Sequence, residues 1–291
     1  IILWAVLVAV KPTRKVTLAM TPWILFGCSY DLMRLMPNYE VNPIDIEGIY
    51  NAEKSLFGIA TESGTLILGE YFNIHNVVWA DLMAGLFYLC WVPVPLGYAL
   101  YMWLKGRKRD SLKFSIAFLW VNILGFCLYY IHPTAPPWYV LEYGFEPRFD
   151  TPGSVAGLIR FDKLMPFHVF ANIYSGNSNV FAAVPSLHSA YVLLAAMYAT
   201  NNKSRWTTAL VFLIISAGIW CTAVYTCHHY VIDVILGILT AFVGVATLEL
   251  GIMKIPFIKK MLEKYDLDPA SSQQILFLAT GRPLLIKELA E

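Results

Sequence analysis

The stretch HHYVIDVILGILTAFVGVATLELGIM, residues 228–253, sets two histidines and an aspartate at the head of an apolar run as long as a bilayer is thick. About 20 predominantly apolar residues suffice for a transmembrane helix, so segment 230–253 predicts one, with Asp233 close to its start. Five more stretches have the same character, at 16–36, 77–104, 111–131, 180–200 and 207–225, and a run at 1–10 is half a span. Composition agrees: with 58% hydrophobic, 15% aromatic and only 14% charged residues, the 291-residue chain could not clothe a soluble globule in polar surface. We therefore expect an all-α integral membrane protein with a six-helix transmembrane core and a partial N-terminal span. The chain opens on Ile1 and no basic region precedes its first apolar run, which reads as a missing N-terminus and not as a cleavable signal peptide.

The connectors alternate in charge. Residues 11–15, 105–113, 203–205 and 254–264, with the tail, hold 16 of the 21 Lys and Arg residues, and the positive-inside rule assigns them to the cytoplasm. Segments 37–76 and 132–179 are longer, acidic overall, and carry only Lys54, Arg148, Arg160 and Lys163 as basic residues; these are expected outside. The formal net charge of +1 thus hides a strong sidedness, and it gives no reason to expect nucleic acid as a partner. All six histidines (His75, His132, His168, His188, His228 and His229) fall on the expected outer side or at its boundary, which locates the chemistry there.

Cys28, Cys90, Cys127, Cys221 and Cys227 lie inside or at the ends of apolar runs, with none in the outer loops, a placement that argues against a disulfide framework. Gly237, Ala241 and Gly244, with Ala190, Ala195 and Ala196, are small enough to let helix backbones approach closely. Without repeats or low-complexity tracts, the chain reads as one polytopic catalytic domain over 1–265, its core at about 77–253, followed by a cytoplasmic tail at 266–291. The apolar patch 275–278 in that tail has no helical regularity and receives no function. In segment 37–76, Tyr50, Leu56, Phe57 and Ile59 alternate with Glu47, Glu53 and Lys54 as in an amphipathic helix, either lying on the outer interface or packed as an ordinary loop helix.

The chemistry follows from spacing. His229 and Asp233, four residues apart on an expected helix, let the carboxylate accept the imidazole Nδ1 proton and leave Nε2 free as a nucleophile. His228, five from Asp233, points away. A His–Asp pair in a soluble protein is commonly structural, but ionisable groups within a membrane span default to function. From His188 the chain runs inward to the basic turn and returns over about the same distance, so His188 and His229 reach similar depth on one side. Pro185 suits the first turn of a helix there; Ser186 is either a phosphate-binding residue beside free backbone N–H groups or a plain helix cap.

These motifs resemble a family. P-S-L-H (185–188) and H-Y-V-I-D (229–233) are similar to the second and third signatures of the type-2 phosphatidic acid phosphatase superfamily, P-S-G-H and S-R-x5-H-x3-D. Thr222-Ala223 stands in place of Ser-Arg, and the first signature, K-x6-R-P, is missing, with Gly125 and His132-Pro133 at its position. The segments H-P-T-A-P-P-W-Y (132–139), T-A-V-Y-T-C-H-H-Y (222–230) and E-K-S-L-F-G (53–58) resemble the inositol phosphorylceramide synthase branch, including its bacterial relatives. What this resemblance implies is a membrane phosphotransferase that moves a phosphoinositol-type head group from a phosphatidylinositol-like donor to a ceramide-like alcohol. On this chain it implies His229 as the nucleophile that becomes phosphohistidine, Asp233 as its orienter, and His188 as general acid and then base, with no cofactor and no metal. The charge pattern of the connectors puts the active site on the non-cytoplasmic face, of a bacterial inner membrane or, in a eukaryote, of the Golgi lumen.

The missing Lys and Arg leave the phosphoryl charge without its usual partners. Arg160 and Lys163 in the large outer loop, and His132 in the family's Arg position, are candidates, although solvated loop charges balancing Glu142, Asp150 and Asp162 account for Arg148, Arg160 and Lys163 as well. Pro133, Pro136 and Pro137 with Trp138, Tyr139, Tyr143 and Phe145 form either a stiff aromatic lip over the site or a belt at the interface. Three competing functions stay open: a lipid phosphate phosphatase using the same His188, His229 and Asp233; a metal-dependent hydrolase with His132, His188, His228 and Asp233 as ligands, which no tight ligand spacing supports; and a transporter, disfavoured by the apolar span interiors.

Overall fold

The computed structural model describes residues 2–62, 64–201 and 206–266. It consists mostly of helices, in chain order α1 Ile2–Ala9, α2 Lys11–Leu32, α3 Glu47–Phe57, α4 Leu68–Ile74, α5 Val78–Tyr88, α6 Pro93–Leu104, α7 Lys108–Ile131, α8 Pro137–Tyr143, α9 Ile159–Leu164, α10 Val169–Tyr174, α11 Leu187–Asn201, α12 Trp206–Tyr225, α13 Val231–Leu250 and α14 Pro256–Asp266. A small antiparallel pair, β1 Ile59–Thr61 and β2 Gly64–Leu66, interrupts them. The basic turn with Lys203 and Arg205, and the tail beyond Asp266 with its patch 275–278, lie outside the described residues.

Among the described residues α7, α12 and α13 with its short extension are each long and apolar enough to cross a membrane, and α5 with α6, bent by 40° at a short break, reaches that length only as a pair, a broken span or a re-entrant loop. The expected single span 77–104 is therefore two helices. Pro93 opens α6 and Pro95 follows; a proline lacks the N–H for the helical ladder and its ring clashes with the preceding turn, so the run breaks before it. The expected span 180–200 is shorter than its sequence for a related reason. Residues 181–186 form a turn, a single bridge at Ala182 and a bend, and α11 begins only at Leu187, after Pro185, because the residue before a proline is pushed out of the helical region. The run 16–36 appears as α2, displaced to Lys11–Leu32, and the half-span at the N-terminus is a separate helix laid back on it, Trp4 donating its indole N–H to Thr21 Oγ1 at 3.1 Å.

At 15 residues α11 is too short to be counted with the membrane-length helices. It is nevertheless the centre of the bundle. Ala190, Tyr191, Val192, Leu193, Leu194, Ala195, Ala196, Tyr198 and Ala199 are all buried, and α6, α7, α12 and α13 pack around them; a helix apolar on every side belongs inside protein. Small residues set the spacing. A Cβ on Gly237 would collide with the Ser186 carbonyl oxygen, and one on Gly244 with Val121, so α13 lies against α11 and α7 at backbone distance. The outward faces of α12 and α13 expose Val211, Ile214, Leu239, Phe242 and Val243, each about half accessible, as a lipid-facing surface requires and as water would not tolerate over such an area.

Candidate active site

Two devices at one end of the bundle shape the loop between α12 and α13. Cys227 adopts a left-handed backbone (φ 59°), a strained state for a residue with a Cβ, and it is held from both sides: its thiol donates to the Gly69 carbonyl at 3.0 Å, and its own carbonyl accepts the Trp138 N–H at 3.0 Å. The turn brings the N–H groups of both His228 and His229 onto the Ala223 carbonyl, each at 3.0 Å. The second device is the start of α13. Asp233 Oδ2 accepts the Tyr230 N–H at 2.9 Å, and the Glu53 carboxylate from α3 accepts the N–H groups of Val231 and Ile232 at 2.9 and 3.2 Å. The first free donors of that helix are thus taken up by acids, as its positive end favours.

This local folding leaves His229 outside α13, one residue before its cap, and not four along one helix from Asp233 as spacing suggested. The pair forms all the same: His229 Nδ1 lies 3.2 Å from Asp233 Oδ2, with both side chains buried. His188, in the first turn of α11, meets it from the other side, its Nδ1 3.1 Å from His229 Nε2. A carboxylate oxygen only accepts, so His229 carries its proton on Nδ1 and presents the Nε2 lone pair to His188 Nδ1–H. Burial pushes the His229 imidazole down to about 4, which keeps it neutral at ordinary pH, as a nucleophile must be. Tyr88 stacks on His188 with ring centroids 5.1 Å apart and Trp91 meets it edge-on at 4.6 Å.

The histidines open onto a cavity of about 170 Å³ between helices α2, α7, α8, α10 and α11 and the turn after α5. Its walls include Tyr30, Trp91, Tyr129, Trp138, Tyr174, Asn177, Asn179, Tyr191, His188, His228 and His229, and among the described residues no Lys or Arg lines it. Trp138 is buried in the wall; Tyr139, also buried, instead gives its hydroxyl to the Glu146 carbonyl and accepts the Arg148 N–H. Residues 133–139 are all buried. Thr134 bridges Asp45 and Ala182, so residues 133–139 are held in place, with Pro136 and Trp138 in the cavity wall, while Phe145 is exposed.

The remaining candidates lie elsewhere. Arg160 is 2.6 Å from Asp81, also donates to Asn73 Oδ1 at 3.1 Å, and lies over the Tyr225 ring. His132 faces Asp45 at 3.3 Å with its side chain about half exposed, and Lys163 is exposed. None of the three lines the cavity. Asp162, expected to balance loop cations, is buried and caps α10 by accepting the Phe170 and Ala171 N–H groups. Ser186 is buried with its hydroxyl unpartnered among the described residues, and its own N–H goes to the Asp233 carbonyl at 2.9 Å. Pro185 precedes the first turn of α11 and does not belong to it. Among the described residues no three His, Cys, Asp or Glu side chains are grouped as metal ligands.

Sequence reasoning missed three residues. His228 was expected to point away, yet it lines the cavity, because the left-handed turn at Cys227 departs from helical spacing. Asn179 lines the cavity with Nδ2 buried and unpartnered, while its Oδ1 accepts the Phe181 N–H at 3.0 Å. Glu53, read on the polar face of α3, is buried at the head of α13. Only its place in E-K-S-L-F-G singled it out in the sequence.

Comparison with known proteins follows the same residues. The profile of the PAP2 superfamily matches residues 67–247. The phosphoinositol dihydroceramide synthase of Bacteroides thetaiotaomicron is 52% identical over 87% of this chain and 83% of its own length. The inositol phosphorylceramide synthase of Candida albicans is 30% identical over 60% of this chain, and the catalytic subunit of the Saccharomyces cerevisiae enzyme 27% over 62%. The matched regions are 38% and 46% of those two fungal proteins. No solved structure matches the chain.

Proposed function

The chain belongs to the PAP2 superfamily, and from that premise we propose that it is a membrane phosphotransferase carrying phosphoinositol from a phosphatidylinositol-like donor to a ceramide-type alcohol, as the names of its relatives describe for them. The observation that carries the reading is the hydrogen-bonded series Asp233, His229, His188 opening onto an aromatic cavity at one end of apolar helices.

In the first half-reaction His229 Nε2 attacks phosphorus, the bond to the diacylglycerol oxygen breaks, and His188 delivers its proton to that oxygen. Asp233 holds the Nδ1 proton and stabilises the phosphohistidine. In the second, His188 takes the proton of the ceramide hydroxyl as its oxygen displaces the histidine. An in-line phosphoryl group cannot fit inside a 3.1 Å contact between the two rings, so the donor parts them on entry. With no Lys or Arg in the lining among the described residues, the Asn179 Nδ2–H is the buried donor best suited to a phosphate oxygen. His132, Arg160 and Lys163 act at a distance from the phosphorus; Arg160, tied to Asp81 and Asn73, braces α9 against α5.

The surrounding architecture is read as one domain with a six-helix core, α2, α5–α6, α7, α11, α12 and α13, whose histidine end faces away from the cytoplasm. Purified protein given phosphatidylinositol and ceramide should release diacylglycerol in step with a phosphoinositol sphingolipid, in the presence of strong chelators. Head-group release to water at one rate with or without the lipid alcohol would replace this reading by a phosphatase.

A further inference from the structure

Two side-chain polar atoms in the cavity wall are buried without a hydrogen-bond partner among the described residues, Asn179 Nδ2 and His228 Nε2. They have opposite sense. Asn179 Nδ2 is a donor by construction. His228 Nε2 is fixed as an acceptor by its surroundings. Thr226 Oγ1 lies 2.7 Å from the Thr222 carbonyl, to which it can only donate, and 3.0 Å from His228 Nδ1. With its one proton committed to the shorter bond, the hydroxyl accepts from Nδ1–H. The ring is neutral: burial pushes its pKa well below the usual imidazole value, and the neighbouring His229 and His188 push in the same direction. Tyr174 and Tyr88 flank it, with ring centroids at 4.6 and 5.6 Å, so the proton cannot be exchanged for one on Nε2 without breaking the contact to Thr226.

A lone pair of this kind repels a phosphate oxygen and is satisfied by an O–H group. Resting on the reading of His229 as the nucleophile of a phosphoinositol transferase, we propose that His228 Nε2 accepts a hydrogen bond from a substrate hydroxyl and so recognises the polyol or alcohol partner of the reaction, while the phosphate is held by other groups. The residue adjoins the nucleophile in sequence, so the hydroxyl it reads lies close to the phosphorus. Two sources have that chemistry, a ring hydroxyl of the donor head group and the attacking hydroxyl of the acceptor lipid.

The test uses the full chain in phosphatidylcholine vesicles with ceramide, comparing wild type with His228→Phe, which keeps a planar ring and loses the acceptor, and His228→Gln, whose amide oxygen restores one. Phosphatidylmethanol, a phosphodiester lipid without a head-group hydroxyl, serves as competitor. His228→Phe should lower kcat/KM for phosphatidylinositol by about 30-fold, the scale of one buried hydrogen bond, with the inhibition constant of phosphatidylmethanol unchanged and a partial recovery in His228→Gln. Such a loss with the ceramide KM unaltered assigns the hydroxyl to the head group; a loss confined to the ceramide KM assigns it to the acceptor. Equal weakening of phosphatidylinositol and phosphatidylmethanol, the mark of an N–H facing phosphate or of a collapsed pocket, overturns the proposal, as do unchanged kinetics in His228→Phe. If wild-type protein transfers nothing from phosphatidylinositol, the functional reading falls and takes this inference with it; if wild type transfers and only the variant pattern fails, the inference alone is lost.

Discussion

At the level of single residues, the three groups in series make sharply different demands on substitution. On the proposed mechanism His229→Ala removes the nucleophile of both half-reactions, so no labelled phosphohistidine should be trapped. His188→Ala and Asp233→Asn each remove a proton-transfer partner or its orienter and should lower transfer by about 10²–10⁴-fold with thermal unfolding little changed; phosphohistidine formed in His229→Ala would end the assignment. The neutral state of His229 has a consequence for pH. Its folded value of about 4 lies below the ordinary imidazole value of about 6.5, so the unfolded chain binds the proton between those values while the folded protein does not. Stability is full above about 6.5 and falls as pH drops towards 4. The unfolding midpoint of the solubilised protein should decline through that window, less steeply in His229→Gln; a flat profile would contradict the buried neutral ring. His188, His229 and Asp233 could be picked out of the sequence because their spacing and their place at the ends of apolar runs are local properties. The orphan atoms of His228 and Asn179 could not, since each depends on where a turn of the chain leaves one nitrogen after its other polar atom has been used.

Among the elements, the helix starts matter most. Two backbone donors of α13 rest on Glu53, 178 residues away in the chain, and with the Cys227 thiol on Gly69 this contact joins the outer segment to the base of the site. Glu53→Gln removes the charge that complements the helix end and should lower stability by about 1 kcal/mol, while kcat falls further than the donor KM rises, because Tyr230 and Asp233 lose their reference frame. An unchanged kcat would show that α13 holds Asp233 in place unaided. Close approach carries the second prediction at this scale: Gly237→Val, with Ser186 in the way of any Cβ, should part α11 from α13 and cost far more than the same change at Gly27, where nothing lies near. Membrane-length runs predicted α7, α12 and α13 well, because hydropathy alone decides them. The break in 77–104 and the late start of α11 are encoded in prolines that a window of average hydropathy passes over.

For the whole molecule, charge asymmetry leads to a definite topology. A cysteine placed in the 144–153 loop should react with an impermeant thiol reagent from outside the intact membrane, and one placed at residues 105–109 only after the membrane is opened; the reverse pattern would invert the protein. The short central helix adds a matter of depth. Fifteen residues rise about 22 Å, against a hydrocarbon slab of about 30 Å. On the proposed topology, with the inner end of α11 level with the cytoplasmic boundary, His188 would sit several ångströms beneath the outer surface, and transfer would take place below the head-group plane, to which an anionic donor must be drawn down. Bilayer thickness becomes a kinetic variable: thicker membranes bury the histidines further from incoming phosphate and thinner ones bring them up to it, so the same protein should turn over at different rates in short-chain and long-chain vesicles of identical head-group composition.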